Sequence, residues 1–211
     1  MIAKHVGEDP LVKFGIRGSM LVALALVAGC SPQQEEKQEA AGAPSTVFEF
    51  MTQKIDVDAD AIWGIGNAAI DDRAQIDPSK MNDEAWTGLE AAAVRMAGDA
   101  RALAKLDPLI VTRPGVKIVD EDVEGAPGPK EIQAHLDRDA DTFRAMALAL
   151  ATHVDGLAAA ARARDAAKAG QLINELDGVC EACHLEYWYP EQKALIQEIM
   201  GGGNAAIGTQ P

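Results

Sequence analysis

Between residues 82 and 106 the apolar side chains Trp86, Leu89, Ala93, Met96, Ala100 and Leu103 recur at steps of three and four. That spacing tracks the α-helical turn and lays one continuous apolar stripe along one face, which has to be covered by another element. Three further segments repeat the pattern. Segment A, residues 46–67, carries Phe48, Met51, Ile55 and Ile62, with Trp63 beside them. Segment C, residues 129–163, carries Ile132, Leu136, Phe143, Ala147, Leu150, Val154 and Leu157. Segment D, residues 164–188, carries Ile173, Leu176, Val179, Cys180 and Cys183. Aromatic residues are only 4% of the 211-residue chain, and β-branched runs are short. Four amphipathic helices that must cover one another predict an all-α fold, an antiparallel four-helix bundle over residues 45–190.

The breaks in the pattern set the connections. Pro108, Pro114, Gly115, Gly125, Pro127 and Gly128 interrupt the stretch between segments B (82–106) and C, leaving about twenty residues. A connection of that length in a small domain is often functional or packed on a site. Residues 55–61, IDVDADA, are acidic and are expected to bend segment A or divide it. Gly170 leaves the C–D boundary open by several residues, and Pro190 is expected to end segment D. Residues 191–211, closing on GGGNAAIGTQP, read as a mobile tail.

The first thirty residues read as a targeting segment. Lys4, Lys13 and Arg17 precede an apolar run over residues 20–28, too short to span a bilayer, and Val27-Ala28-Gly29-Cys30 follows. The pattern resembles a bacterial lipobox, which would make residues 1–29 the signal peptide and Cys30 the lipidated first residue of the mature chain. Ordinary signal cleavage, or a start site placed too far upstream, would also account for the long n-region with its Glu8 and Asp9. Ser31 after the cysteine is similar to sorting patterns for the outer membrane. Residues 30–44 are polar and charged, a flexible tether. The net charge of −14 becomes about −15 once the signal's net +1 is removed. An acidic chain of this kind excludes nucleic-acid binding and suits a partner with a basic docking patch. The acidic run at 120–124, DEDVE, is a solvated loop on the simplest reading and such a docking patch on the sharper one.

With Cys30 assigned to lipid, Cys180 and Cys183 remain, in the sequence Cys180-Glu181-Ala182-Cys183-His184. C-x-x-C-H is the attachment signature of c-type haem. On a helix, positions 180, 183 and 184 fall within an arc of about 100°, so two thiols and an imidazole share a face. The thiols suit thioether bonds to two vinyl groups, and the imidazole suits the proximal iron position. A disulfide or redox thiol pair is one competing reading, although reactive pairs sit at helix N-termini and this one lies late in its segment. A zinc clip is another, needing His135 or His153 to complete it.

The four segments, C-E-A-C-H near the C-terminus, and Tyr187 three residues after His184 together resemble class II cytochromes c, the cytochrome c prime family. The resemblance covers residues 45–190. It implies a cytochrome c prime-like bundle with one covalent haem c, held by Cys180 and Cys183 with His184 as axial iron ligand. It also implies that helix A faces the far side of the haem, where Met51 matches the sixth-ligand position of low-spin members. If Met51 instead fills the core, Phe48 or Ile55 would stand there. Many members place Arg or Lys four residues after the proximal histidine; Trp188 stands there in this chain.

Phe48, Ile55, Trp86, Phe143 and Tyr187 are the candidate haem-pocket residues, with Trp63, Trp86 and Phe143 equally simple as core. His153, between Leu150 and Leu157, reads as a flank histidine with a hydrogen-bond partner and only secondarily as a haem neighbour; His135 reads as exposed. The expected function is electron transfer to a redox partner protein from a lipid anchor on the periplasmic side of a bacterial membrane, the outer membrane favoured. No nucleophile–base pair suggests an enzyme. A five-coordinate haem protein binding nitric oxide or carbon monoxide is the alternative of the same fold. The family resemblance also allows a homodimer.

Overall fold

A computed structural model describes residues 45–202, except 74, 120, 124 and 125. The expected signal peptide, Cys30 and the expected tether therefore lie outside the described residues. The described chain is all-α. Helix α1 (Val47–Phe50) passes through a π-helical turn (Met51–Ile55) into α2 (Asp56–Ala69); α3 (Asp83–Leu103), α4 (Pro129–Arg138), α5 (Ala140–Ala163), α6 (Ala166–Tyr187) and α7 (Pro190–Gly202) follow. β pairing among the described residues is an isolated bridge between Ile70 and Ile76. No helix among them is long and apolar enough to cross a membrane.

The caps explain the boundaries. Thr46 Oγ1 accepts from Glu49 N at the start of α1, and Asn82 accepts from Ala85 N at the start of α3. Arg164, in the left-handed region at φ 54°, ends α5, and Asp165 caps α6 by accepting from Lys168 N. This places the C–D boundary that Gly170 had left open. Gly170 instead lies inside α6, where a Cβ would meet Ile76 at 3.1 Å, so its missing side chain lets the 70–76 loop approach the helix.

Segment C is not one helix. It divides at Asp139, whose backbone leaves helical geometry (φ −147°, ψ 63°) and whose side chain caps α5 by accepting from Thr142 N at 3.2 Å. Segment A is divided, as expected, but by a π turn that ends at Ile55, the first residue of the acidic run. Its acidic middle stays helical through Ala69, because Asp58 turns inward and is 3% exposed, accepting from Arg95 Nη2 at 2.6 Å and Nε at 3.0 Å. Removing the guanidinium strands a desolvated carboxylate. Since the Arg95 side chain is itself 57% exposed, Arg95→Leu is expected to cost about 2 kcal/mol, below the usual range for a fully buried pair. Thermal melts should show a loss on the order of 4–8 °C, largely recovered when Asp58→Leu is added.

The residues expected to form a mobile tail from 191 onward begin as α7, with Pro190 opening that helix as it ends α6; proline's fixed φ and missing N–H suit a first helical turn. Helix α3 packs chiefly on α5, α5 on α6, and α2 on both α3 and α6. The core forms two clusters. One gathers Ile62, Leu89, Met96, Val154, Leu157 and Leu176. The other, at the opposite end, gathers Val47, Leu103, Ile132, Leu136, Phe143 and Tyr187. The long connection between α3 and α4 is packed onto this second cluster through Leu109, Val111 and Ile118. Val47 N and Phe48 N donate to Ile110 O and Val111 O, and Gln133 bridges Leu109 O and Val111 N.

Candidate functional site

The two core clusters do not close completely on each other. Met51 packs against both, Cys180 against the first and Cys183 against the second. At this junction lies a cleft enclosing about 750 Å³ of space between side chains, open solvent included. Met51, Ile55, Ala59 and Trp63 line it from the first helical segment; Phe143, Ala147 and Leu150 line it from α5; Cys180, Cys183 and His184 line it from α6. A second cleft of about 680 Å³ adjoins it, sharing Met51, Asp56, Phe143, Cys183 and His184, and bounded further by Phe48, Ile118, Tyr187 and Trp188.

Each helix contributes by register. Met51, Ile55, Ala59 and Trp63 are spaced four apart, so they form one ridge along a helix face. The π turn at Met51–Ile55 inserts a wider turn at the start of that ridge, and such turns recur where a helix presents a functional side chain. On α6, Cys180, Cys183 and His184 share the face that three- and four-residue spacing dictates. Small residues opposite them, Ala59 and Ala147, leave the width of the cleft unfilled.

The last turn of α6 is held firmly. His184 O accepts from Trp188 N at 2.7 Å and from Tyr189 N at 2.8 Å, and the Tyr189 ring meets the His184 imidazole edge-on at 6.4 Å between centroids. Tyr187 is buried; its hydroxyl donates to Asp139 O at 2.8 Å, and its ring meets Phe143 edge-on at 5.3 Å. His135 Nδ1 donates to Tyr187 O at 2.9 Å. The break between α4 and α5 is thus where α6 is fastened, immediately after the Cys183-His184 pair.

Both thiols are free and half-buried. Burial pushes Cys180 up to about 11, helped by the nearby carboxylates of Asp177, Asp56 and Glu181. It pushes Cys183 up to about 12, helped by Cys180 and Glu186. Thiols in this state stay protonated at neutral pH, the reverse of the lowered pKa that activates a redox pair. Asp56, exposed at the junction of the two clefts, has its carboxyl raised by desolvation, an effect opposed by His184 and reinforced by Asp60.

Of the candidate residues, Cys180, Cys183, His184, Met51, Ile55 and Phe143 meet in the larger cleft, and Phe48 and Tyr187 join through the smaller one. Trp86 does not line either cleft. It is 5% exposed within the first core cluster, so it belongs to the core rather than to the site. Trp63 lines the cleft instead. His153 Nε2 donates to Leu172 O at 2.8 Å and so holds α5 to α6. His135, expected to be exposed, is half-buried and engaged with Tyr187. Trp188 packs against the second cluster at the end of α6. Asp56, Met146 and Leu150 were not among the candidates. Asp56 follows Ile55 directly at the end of the π turn, and no sequence signal marks that turn.

The donor set fits a covalently held porphyrin: two thiols and an imidazole on one helical face, apolar walls on the facing helices, and a thioether from a third element. It does not fit zinc, because among the described residues no three His, Cys, Asp or Glu side chains converge to hold a metal ion. Neither His135 nor His153 is one of the cleft-lining residues beside Cys180 and Cys183. No family model, curated protein or solved structure matches the chain, so the chemistry of this cleft has to be argued from its own residues.

Proposed function

We propose that the chain is a lipid-anchored, monohaem class II c-type cytochrome that carries electrons on the periplasmic side of a bacterial membrane. In this reading α2 with its preceding turn, α3, α5 and α6 are the four helices of an antiparallel, cytochrome c prime-like bundle. The observation that carries it is the common lining of one apolar cleft by Cys180, Cys183, His184 and Met51. When bound, haem c supplies a one-electron Fe(III)/Fe(II) couple. The Cys180 and Cys183 thiols would hold it by adding S–H across two vinyl double bonds. His184 would be the proximal ligand, fixed by the tightly closed end of α6 and by the Tyr189 ring. Met51 would supply a soft thioether donor from the π turn, and thioether ligation raises the reduction potential of a haem iron. Ile55, Trp63, Phe143 and Leu150 would give the haem apolar walls on the facing helices. An acidic surface keeps the chain soluble on its tether and draws basic redox partners.

Expression of the full chain with export and haem-maturation machinery tests this directly. The expected product is coloured, keeps a haem-staining band through denaturing electrophoresis, and gives a six-coordinate low-spin spectrum on reduction. A five-coordinate high-spin spectrum would transfer the assignment to a gas-binding haem protein of the same fold. A colourless product would remove both.

A further inference from the structure

We propose that the strip Val116, Val119, Glu121, Asp122 and Val123, on the connection between α3 and α4, docks a protein redox partner whose contact face is apolar at its centre and ringed by lysines or arginines. The inference rests on the haem reading above, for it gives that site its partner. The strip is anchored by Ile118, which is buried in the second core cluster and whose N–H donates to Glu121 Oε2 at 3.1 Å. Lys117 pairs with Asp122 at 2.7 Å across the same turn. With Ile118 turned inward, its neighbours face solvent: Val116 is 42% exposed, Val119 67% and Val123 58%.

Three solvent-facing valines within eight residues are not a by-product of the fold. The exposed large apolar side chains on α2, α3 and α5, namely Val57, Val94 and Leu148, stand singly on their helices. A local concentration of apolar surface in a polar setting marks a contact site. Its position ties it to the cleft, because Ile118 and Val119 line the smaller cleft together with His184, Trp188 and Tyr189. A protein seated on the strip would therefore lie against the proximal edge of the site.

Charge selects the occupant. Residues 116–124, VKIVDEDVE, carry four carboxylates and one lysine, in a chain of net charge −14. An anionic lipid surface or a second copy of this chain would be repelled, whereas a basic protein is drawn in and oriented before the valines make contact.

The test uses the full haem-loaded protein, reduced and mixed in stopped flow with a basic soluble c-type cytochrome as electron acceptor. An acidic c-type cytochrome is the comparison acceptor. The rate with the basic acceptor should exceed that with the acidic one and fall by about tenfold as ionic strength rises from roughly 10 to 200 mM. Val123→Lys should lower the low-salt rate with the basic acceptor by about tenfold. Val94→Lys on α3, the same charge change elsewhere, should alter it by less than about twofold. Both variants should keep the wild-type spectrum and potential. Equal rates for the two haem-loaded variants would overturn the docking surface while leaving the cytochrome reading intact. A wild-type dimer that Val123→Lys dissociates would assign the strip to a second copy, also overturning it. A chain that takes up no haem would bring down both.

Discussion

Replacing Cys180 and Cys183 together by alanine is expected to abolish covalent haem while leaving the helices folded. Both side chains are half-buried on α6 beside the cleft, and alanine is a strong helix former, so the backbone of α6 has no reason to change. Each truncation removes one small buried group at a site already bordered by empty volume, a loss of about 1 kcal/mol or less per position. Circular dichroism should therefore report wild-type helicity, and melting should lie within a few degrees of the haem-free wild-type chain. The haem-staining band after denaturation should vanish. Each single variant should retain one thioether, giving a weaker band and a shifted visible maximum. If the double variant still carried haem through denaturation, attachment would run through some other residue, and the role given to α6 would be wrong.

The second large effect is expected at Met51. Met51 lines both clefts and packs against both core clusters, so Met51→Ala is expected to change more than packing. The stability cost should be about 1–3 kcal/mol, since the side chain is only partly buried and already borders a cavity. The spectroscopic change should be complete: low-spin features lost, high-spin features gained, carbon monoxide binding enabled, and the reduction potential lowered as the soft ligand disappears. Met51→Leu should give the same spectrum with less loss of stability, which separates ligation from packing. An unchanged low-spin spectrum in both variants would remove Met51 from the iron.

Helix α3 was legible in the sequence almost to the residue, because a cap at Asn82 and an unbroken stripe from Trp86 to Leu103 leave one way to bury the face. The same reasoning missed the division at Asp139, since the stripe from Ile132 through Leu157 continues across it. The signal was present in the Asp139-x-x-Thr142 spacing, where an aspartate side chain caps a new helix. It was outweighed by periodicity. Asp58 could not be placed, because its partner Arg95 lies 37 residues away and only tertiary packing brings them together. Local acidity pointed to a bend or break, whereas the run from Asp56 to Ala69 is helical with Asp58 paired inward.

The cleft was legible in part. Cys180, Cys183 and His184 share a face by helical geometry alone, whereas Met51 was expected as a sixth ligand only from the resemblance, and it lines the same cleft. Trp63 and Trp86 were not separable, since periodicity gives the buried side of a helix but not the level at which two core clusters part. The π turn shifts the register of segment A at its start, which is why Phe48 borders the smaller cleft and Ile55 the larger. The fastening of α6 by Tyr187, Asp139 and His135 depends on a backbone carbonyl at a helix break, and such a partner leaves no mark in residue types.

The most direct test is the intact mass of the exported chain after denaturation and treatment with a thiol-alkylating reagent. The expected product is a polypeptide heavier by one haem, with no alkyl group on Cys180 or Cys183. Two alkylated thiols at the apoprotein mass, or an apoprotein lighter by two hydrogens from a disulfide, would contradict it.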